Sequence, residues 1–329
     1  MRAGVEPTVV FLGSHEPLSR LLEQDGIAYH DLGYKRGSRV LFHPKRFANL
    51  VGTYGEDGVI LDSSGYVAWA LRAGGYRGRI VSVEHGVIVQ ENLTPRKRFV
   101  RRIDRITGSR ASDIEVAVSD FLLEELVRRR HAQRVVRIHN GLDLTLFHPV
   151  ATRGTRLSIG WAGRMVEGKG VVELLHAVAR LDQEVEVHLA GEGPERSALG
   201  NLVNELRLDQ KVVFAGPVLD MAAFWANCDM AVFPTNGSIE SFGLAAIEAM
   251  ACGKPVVASR IGGLAEVVED GTTGSLVEPG DIEGLARALR RYALDEGLRL
   301  RHGCEARSAC ERRFDIKETA AQYLGLFES

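Results

Sequence analysis

The sequence predicts an α/β protein made of two doubly wound parallel sheets. Three observations carry that reading. The chain has 329 residues, which suits about two domains. Short apolar, β-rich runs recur along it, and most are followed by a segment with helical periodicity. Hydrophobic residues make up 45% and charged residues 26%, the balance of a globular protein with a substantial core.

The elements follow in order. The first half offers strand runs TVVFL from Thr8, SRVLF from Ser38, DGVIL from Asp57, RIVSV from Arg79 and IEVAVS from Ile114. The second half offers RLSIGWAG from Arg156, EVEVHLAG from Glu184, KVVFAG from Lys211, DMAVFP from Asp229 and KPVVAS from Lys254. Helical segments such as VELLHAVARL and ERSALGNLVNELRL stand between most of them. Such runs read as parallel strands buried on both faces, and right-handed crossovers wind them into two Rossmann-like sheets. The boundary falls near NGLDLTLFHPVATRGTR, which turns through Asn140-Gly141 and carries Pro149 and Gly154. The expected domains are residues 1–150 and 151–311, with residues 312–329 as a final helix. Open α/β sheets bind ligands at the carboxyl ends of their strands, so two of them place a site in the cleft between the domains.

Formal net charge is −2, which gives no global attraction to nucleic acid. The halves differ: residues 1–150 carry five more basic than acidic side chains, and the remainder seven more acidic than basic. That asymmetry suits two halves that meet different partners. The four cysteines, Cys228, Cys252, Cys304 and Cys310, have no C-x-x-C spacing and read as free thiols in a reducing compartment. No run reaches the roughly 20 apolar residues of a membrane span, and no basic-then-apolar leader is evident. The expected location is the cytoplasm.

The stretch ESFGLAAIE, after the strand DMAVFP, opens a helix at a strand's carboxyl end. Ser241 is the expected cap. The amides of Phe242, Gly243 and Leu244 then lack partners inside the helix and suit a phosphate. Glu248 lies one turn beyond Leu244, and helical side chains lean toward the N-terminus. A carboxylate there would accept from hydroxyls such as a ribose diol, with Glu240 placed for a second polyol. Taken singly, each glutamate fits equally an ordinary acid at the positive end of a helix. In IGWAGRMVEGKG a strand ends at Gly160–Gly163, and Arg164 and Lys169 follow five apart in a glycine-rich loop. Two cations so placed could clamp a pyrophosphate or form a solvated basic turn. A P-loop is excluded, because Gly170 stands where Ser or Thr would follow the lysine. His85, in VSVEHG, directly follows an apolar strand, a place for either a structural or a functional imidazole.

These stretches, with NGLDLTLFHP, AVSDFLLEEL and GGLAEVVEDGTTGSLVEPGD in the same order, resemble the retaining glycosyltransferases of family four (group 1), which have the GT-B fold. The resemblance runs from about residue 80 to the end and is strongest in the second domain. It implies a nucleotide-sugar donor (UDP-, GDP- or another nucleoside diphosphate sugar), no metal and no other cofactor, and retention at the anomeric carbon. Arg164 and Lys169 would then hold the donor pyrophosphate, beside Gly163. Glu248 would bind the ribose hydroxyls. Glu240, with the amides of Phe242, Gly243 and Leu244, would hold the sugar and phosphate. Val218 and Asp220 would stand near the base, and His85 would reach the donor sugar from the first domain. The final helix would cross back onto that domain. The family's first glycine-rich loop reads here VVFLGSHEPLSRLLEQDG, with Gly13 as its glycine and a short helix after it, so the acceptor side is trimmed.

In TPRKRFVRRIDRITGSR, residues 94–110, the apolar side chains Phe99, Ile103 and Ile106 share one helical face and basic residues surround it. The stretch fits a packed helix with a solvated rim, or attraction to an anionic membrane surface or lipid phosphate. No aromatic interleaving supports nucleic acid. The functional expectation is a cytoplasmic, metal-independent retaining glycosyltransferase. A phosphorylase, a sugar-nucleotide epimerase and a non-catalytic sugar-nucleotide binder are the alternatives.

Overall fold

A computed structural model describes residues 8–12, 22–24, 26–32, 41–54, 58–62, 65–86, 94, 103, 106–129, 133–149, 156–237 and 240–328. The described residues fall into two compact units. One takes those of Met1–Glu84, Gln90–Val116 and Leu126–Val136; the other takes those of His85–Val89, Ala117–Glu125 and Arg137–Ser329.

In the first unit β1 (Thr8–Phe11) pairs in parallel with β2 (Ala28–Asp31). A four-stranded sheet has the order β3 (Gly58–Asp62), β4 (Arg79–Glu84), β5 (Ile114–Ala117), β6 (Val135–Arg137). Helices α1 (Pro44–Tyr54) and α2 (Gly65–Ala73) bury Phe47, Ala48 and Val51 against Val67, Ala68 and Leu71. The Arg72 guanidinium, at the end of α2, ties this cluster to the sheet through the carbonyls of Tyr76, Gly78 and Ala111 and the Asp113 carboxylate. Of the expected strand SRVLF, Leu41 and Phe42 form a 3₁₀ turn rather than strand, and residues 38–40 lie outside the described residues. Both described side chains are exposed, Phe42 by 78%, so these two residues do not pack into a sheet.

The second unit is built on a six-stranded sheet. Its strands are β7 (Leu157–Ala162), β8 (Val185–Ala190), β9 (Val212–Gly216), β10 (Met230–Phe233), β11 (Val256–Ser259) and β12 (Gly274–Val277). They lie in the order β9-β8-β7-β10-β11-β12, parallel throughout. Numbered within the unit, that is the 3-2-1-4-5-6 order of a dinucleotide-binding sheet, with its switch point between β7 and β10. Every residue of β10 and β11 is buried, as a sheet covered on both faces requires.

The crossovers are α4 (Val171–Val178), α5 (Arg196–Glu205), α6 (Met221–Ala226), α7 (Leu244–Ala251) and the short α8 (Leu264–Val267). Helices α9 (Ile282–Leu294), α10 (Glu296–Arg313) and α11 (Ile316–Glu328) follow. Asp220, Asp281 and Asp295 cap α6, α9 and α10 by accepting from Ala223, Gly284 and Leu298 amides at 2.8–2.9 Å. Among the described residues no helix is long and apolar enough to cross a membrane. Of the basic stretch, Thr94, Ile103 and Ile106–Arg110 are described; Ile103 is exposed and Ile106 half-buried. Phe99 and the basic residues from Arg96 to Arg105 lie outside the described residues.

Arg307 of α10 links the chain entering the second unit to the end of α7. Its guanidinium donates to the carbonyls of Phe147 (2.6 Å) and Ala251 (2.9 Å) and pairs with Glu311 at 2.7 Å. Ala251 closes α7, where unpaired carbonyls favour a cation. Arg307→Ala strands both carbonyls and should lower unfolding free energy by roughly 2–3 kcal/mol. Urea denaturation would measure it, and a loss below about 0.5 kcal/mol, the usual range of a plain surface change, would show that the linkage is not structural.

Candidate functional site

Two loops leave the carboxyl ends of β7 and β10, the strands that flank the switch point. They are bonded to each other: the amides of Asn236 and Gly237 donate to the Gly168 carbonyl at 3.0 and 3.4 Å. The Asn236 side chain also donates to Glu173 on α4. Gly170 makes this approach feasible. It has φ 76°, and a Cβ there would overlap the Pro234 carbonyl. An L-side chain would meet strain and collision together.

The β7 loop carries the expected cations. Arg164 is exposed, and buried Met165 beside it anchors the loop through its amide to the Glu192 carbonyl at 2.9 Å. Gly163 is held by its amide to the Ala190 carbonyl at 3.0 Å. Lys169 reaches across and forms an ion pair with Glu240, each side chain 26% exposed. The two residues expected to hold different parts of a donor are therefore in direct contact.

The helix that follows Glu240 starts later than expected. Its N-cap is Gly243, in a left-handed conformation with φ 96°, and no side chain caps it. Ser241 is therefore not the cap. It lies two residues too early, is buried, and sits beside Gly86, 3.6 Å from where a Cβ of that glycine would stand. Gly243 turns the chain where a Cβ would press to 2.8 Å from Leu264, which a serine cap could not do. The first helical bonds run from the amides of Ala246 and Ile247 to the Gly243 carbonyl. The amides of Gly243 and Leu244 thus precede the helical ladder, at its positive end. The Phe242 ring is buried and packs on His139 and Phe314, both 5.6 Å away, so only its backbone is available to a ligand.

Glu248 is one turn further along α7 and half-buried. The indole of Trp225 on α6 donates to its Oε2 at 3.2 Å. Burial raises the Glu248 pKa above its ordinary 4.5, and the indole bond opposes the rise. Trp225 escaped the sequence reading, although a buried tryptophan usually finds an acceptor for its N–H. Val218 is half-buried in the loop after β9, two strands from β7. Asp220 is occupied in capping α6. His85 follows β4 and is exposed, immediately before Gly86. Gly13 lies outside the described residues.

A second polar cluster lies elsewhere in the unit. Glu266 of α8 accepts from the amides of Asp120 (2.7 Å) and Phe121 (2.5 Å), capping α3 (Asp120–Arg129) from another element. Ligand-capable atoms of Asp120, His139 and Glu266 come within 4.8 Å of one another. Each is already engaged: Asp120 pairs with Arg137 at 2.8 Å, and Arg137 also contacts a His139 ring nitrogen at 2.7 Å. Burial, with the Arg137 and Arg313 guanidiniums, lowers the His139 pKa to about 4 and keeps the ring neutral. A cavity of about 260 Å³ beside it is lined by Arg137, His139, Arg313, Thr319 and Gln322.

Parallel sheets in two units, with a glycine-rich basic loop and a helix start meeting at a switch point, define a protein of the GT-B class. Residues 156–295 match the family described as Glycosyl transferases group 1, and residues 1–146 match Glycosyltransferase Family 4. The chain belongs to this glycosyltransferase family. It is 35% identical over 157 residues to N-acetyl-alpha-D-glucosaminyl L-malate synthase of Bacillus anthracis, covering 47% of this chain and 41% of that protein. It is 32% identical to D-inositol 3-phosphate glycosyltransferase of Streptomyces bingchenggensis, covering 76% and 61%. The chain thus spans about half the length of these curated relatives. HepE of Anabaena, solved with UDP-glucose, has the same fold, with a TM-score of 0.84 at 22% identity over 98% of this chain and 91% of its own.

The raised Glu248 pKa has a consequence for stability. The folded protein binds that proton more tightly than the unfolded chain, so ionised Glu248 costs stability at neutral pH. The cost shrinks as pH falls through the raised value toward 4.5. Glu248→Gln removes the charge and keeps an acceptor for the indole. It should melt above the parent protein at neutral pH, and the gap should close on acidification. Melting curves across that range would check this, and a variant less stable at every pH would overturn it.

Proposed function

We propose that the chain is a retaining glycosyltransferase that transfers a sugar from a nucleoside diphosphate sugar without a metal. The carrying observation is the ion pair of Lys169, on the β7 loop that also carries Arg164, with Glu240 just before the start of α7, at the β7–β10 switch point. There the donor diphosphate lies on the Gly243 and Leu244 amides, and the two cations take up its charge. Glu248 accepts from the ribose hydroxyls, and Glu240 from the sugar. Val218 borders the base, and His85 faces the sugar. UDP-glucose bound to HepE, a protein of the same fold, supports a uridine nucleotide as donor.

As the glycosidic bond breaks, positive charge develops at the anomeric carbon and negative charge on the departing diphosphate. Arg164 and Lys169 favour that departure. The acceptor oxygen then bonds to the anomeric carbon from the face that the diphosphate has just left and gives its proton to a diphosphate oxygen, which preserves configuration. Lys169 exchanges its Glu240 partner for the diphosphate on binding. The partly exposed pair contributes little to stability, so the exchange is inexpensive.

A thermal-shift panel of UDP-, GDP-, ADP- and dTDP-sugars with EDTA present tests the reading. A donor at 100 times its dissociation constant adds about 2.7 kcal/mol of stability. One nucleotide should shift the melting point, and Glu248→Ala should abolish the shift; a panel without any shift counts against the donor site. In steady-state transfer, Lys169→Ala should lower turnover by roughly 100- to 1000-fold. A loss below about threefold would remove the lysine from the chemistry.

A further inference from the structure

We propose that Trp225 is a positioning residue for the donor site: its indole N–H fixes the Glu248 carboxylate in the orientation that meets the ribose hydroxyls. This rests on the reading of Glu248 given above. Trp225 is fully buried. Its ring packs edge-on against Phe224 at 4.8 Å and Phe233 at 6.0 Å. On β7, Gly160 makes room for it, because a Cβ there would come 2.8 Å from the indole Cζ3. Walls from α6, β7 and β10 thus leave the ring little freedom to turn. Its N–H meets Glu248 Oε2 at 3.2 Å.

A glutamate has three side-chain torsions, and one fixed donor on Oε2 removes much of their freedom. The carboxylate is thereby set before the nucleotide arrives, which lowers the ordering cost of binding. Glu248 is thus a carboxylate whose rigid partner is itself core. Glu240, by contrast, is held by a flexible lysine.

The same bond acts on the proton. Burial favours the neutral acid, and a donated N–H favours the carboxylate. Among the described residues, the titratable group coupled to Glu248 is the Cys252 thiol at the end of the same helix, held up to about 11 by burial and hence uncharged. Lys254 and Arg307 act on that thiol. Removing the indole N–H leaves burial unopposed, so Glu248 should protonate at higher pH.

Two readouts test this. The protein has three tryptophans, so a nitrogen-15 spectrum of the indole N–H groups is simple to assign, with Trp225 identified by its loss in Trp225→Phe or, where that variant does not fold, as the signal that remains in both Trp69→Phe and Trp161→Phe. In the parent protein the Trp225 signal should titrate above pH 4.5, the ordinary value, and in Glu248→Gln it should not. Calorimetric binding of UDP, or of whichever nucleoside diphosphate the panel selects, forms the second arm. Trp225→Phe should bind about tenfold more weakly at neutral pH, the scale of one hydrogen bond to a charged group. The pH at which binding is half lost should move upward, and in the Glu248→Gln background Trp225→Phe should add little. A role in packing alone would lower the melting point and leave the pH midpoint in place, which overturns the proposal. So does a Trp225 signal that ignores pH, a result obtained even if Trp225→Phe does not fold. If Glu248→Gln itself binds the nucleotide as the parent does, the reading of Glu248 fails, whatever Trp225 does.

Discussion

Backbone contact between the β7 and β10 loops is the constraint on which the rest of the site depends. Two strands at the switch point send their crossovers to opposite faces, so their loops diverge unless something holds them together. Here one carbonyl, that of Gly168, receives two amides from the other loop, and Gly170 lets Pro234 come against it. The cation of Lys169 and the start of α7 become neighbours as a result. A side chain at position 170 would push them apart, however favourable the charges.

Around that contact, groups differ in how firmly they are held. Lys169 and Glu240 are paired, long and partly exposed, and such a pair is easily exchanged. Glu248 is half-buried, disfavoured as a charge and braced by a core indole. Mobile charge suits a diphosphate that arrives and leaves. Braced charge suits a hydroxyl pair that must be met at fixed geometry. A carboxylate whose charge is disfavoured by burial marks a candidate functional group.

The start of α7 is also tied to distant parts of the chain. Phe242 stacks with His139 from the segment after β6 and Phe314 from the junction of α10 and α11. Arg307 joins the other end of α7 to Phe147. The helix that presents the Gly243 and Leu244 amides is thus fastened at both ends by residues more than fifty positions away.

Sequence alone determined the first five strands of the second unit, because a strand covered on both faces must be apolar over its full length, as in MAVF and VVAS; the sixth, GSLV of β12, was not among them. It determined that Arg164, Lys169, Glu240 and Glu248 stand at strand ends or the first turns of helices, since local periodicity locates those ends. Short or polar strands were not legible: AYHD and VVR carry too little pattern to separate from loop. The end of SRVLF had the pattern, yet Leu41 and Phe42 went to a turn, because apolar periodicity does not guarantee a neighbouring strand. Only the tertiary structure decided that Gly243 rather than Ser241 begins α7, because close packing against Leu264 selects the residue without a Cβ. Only it joined Lys169 to Glu240 and Trp225 to Glu248, residues 71 and 23 positions apart. A side chain's partner depends on which strands lie side by side, and strand order is set by packing the whole sheet rather than by any local stretch.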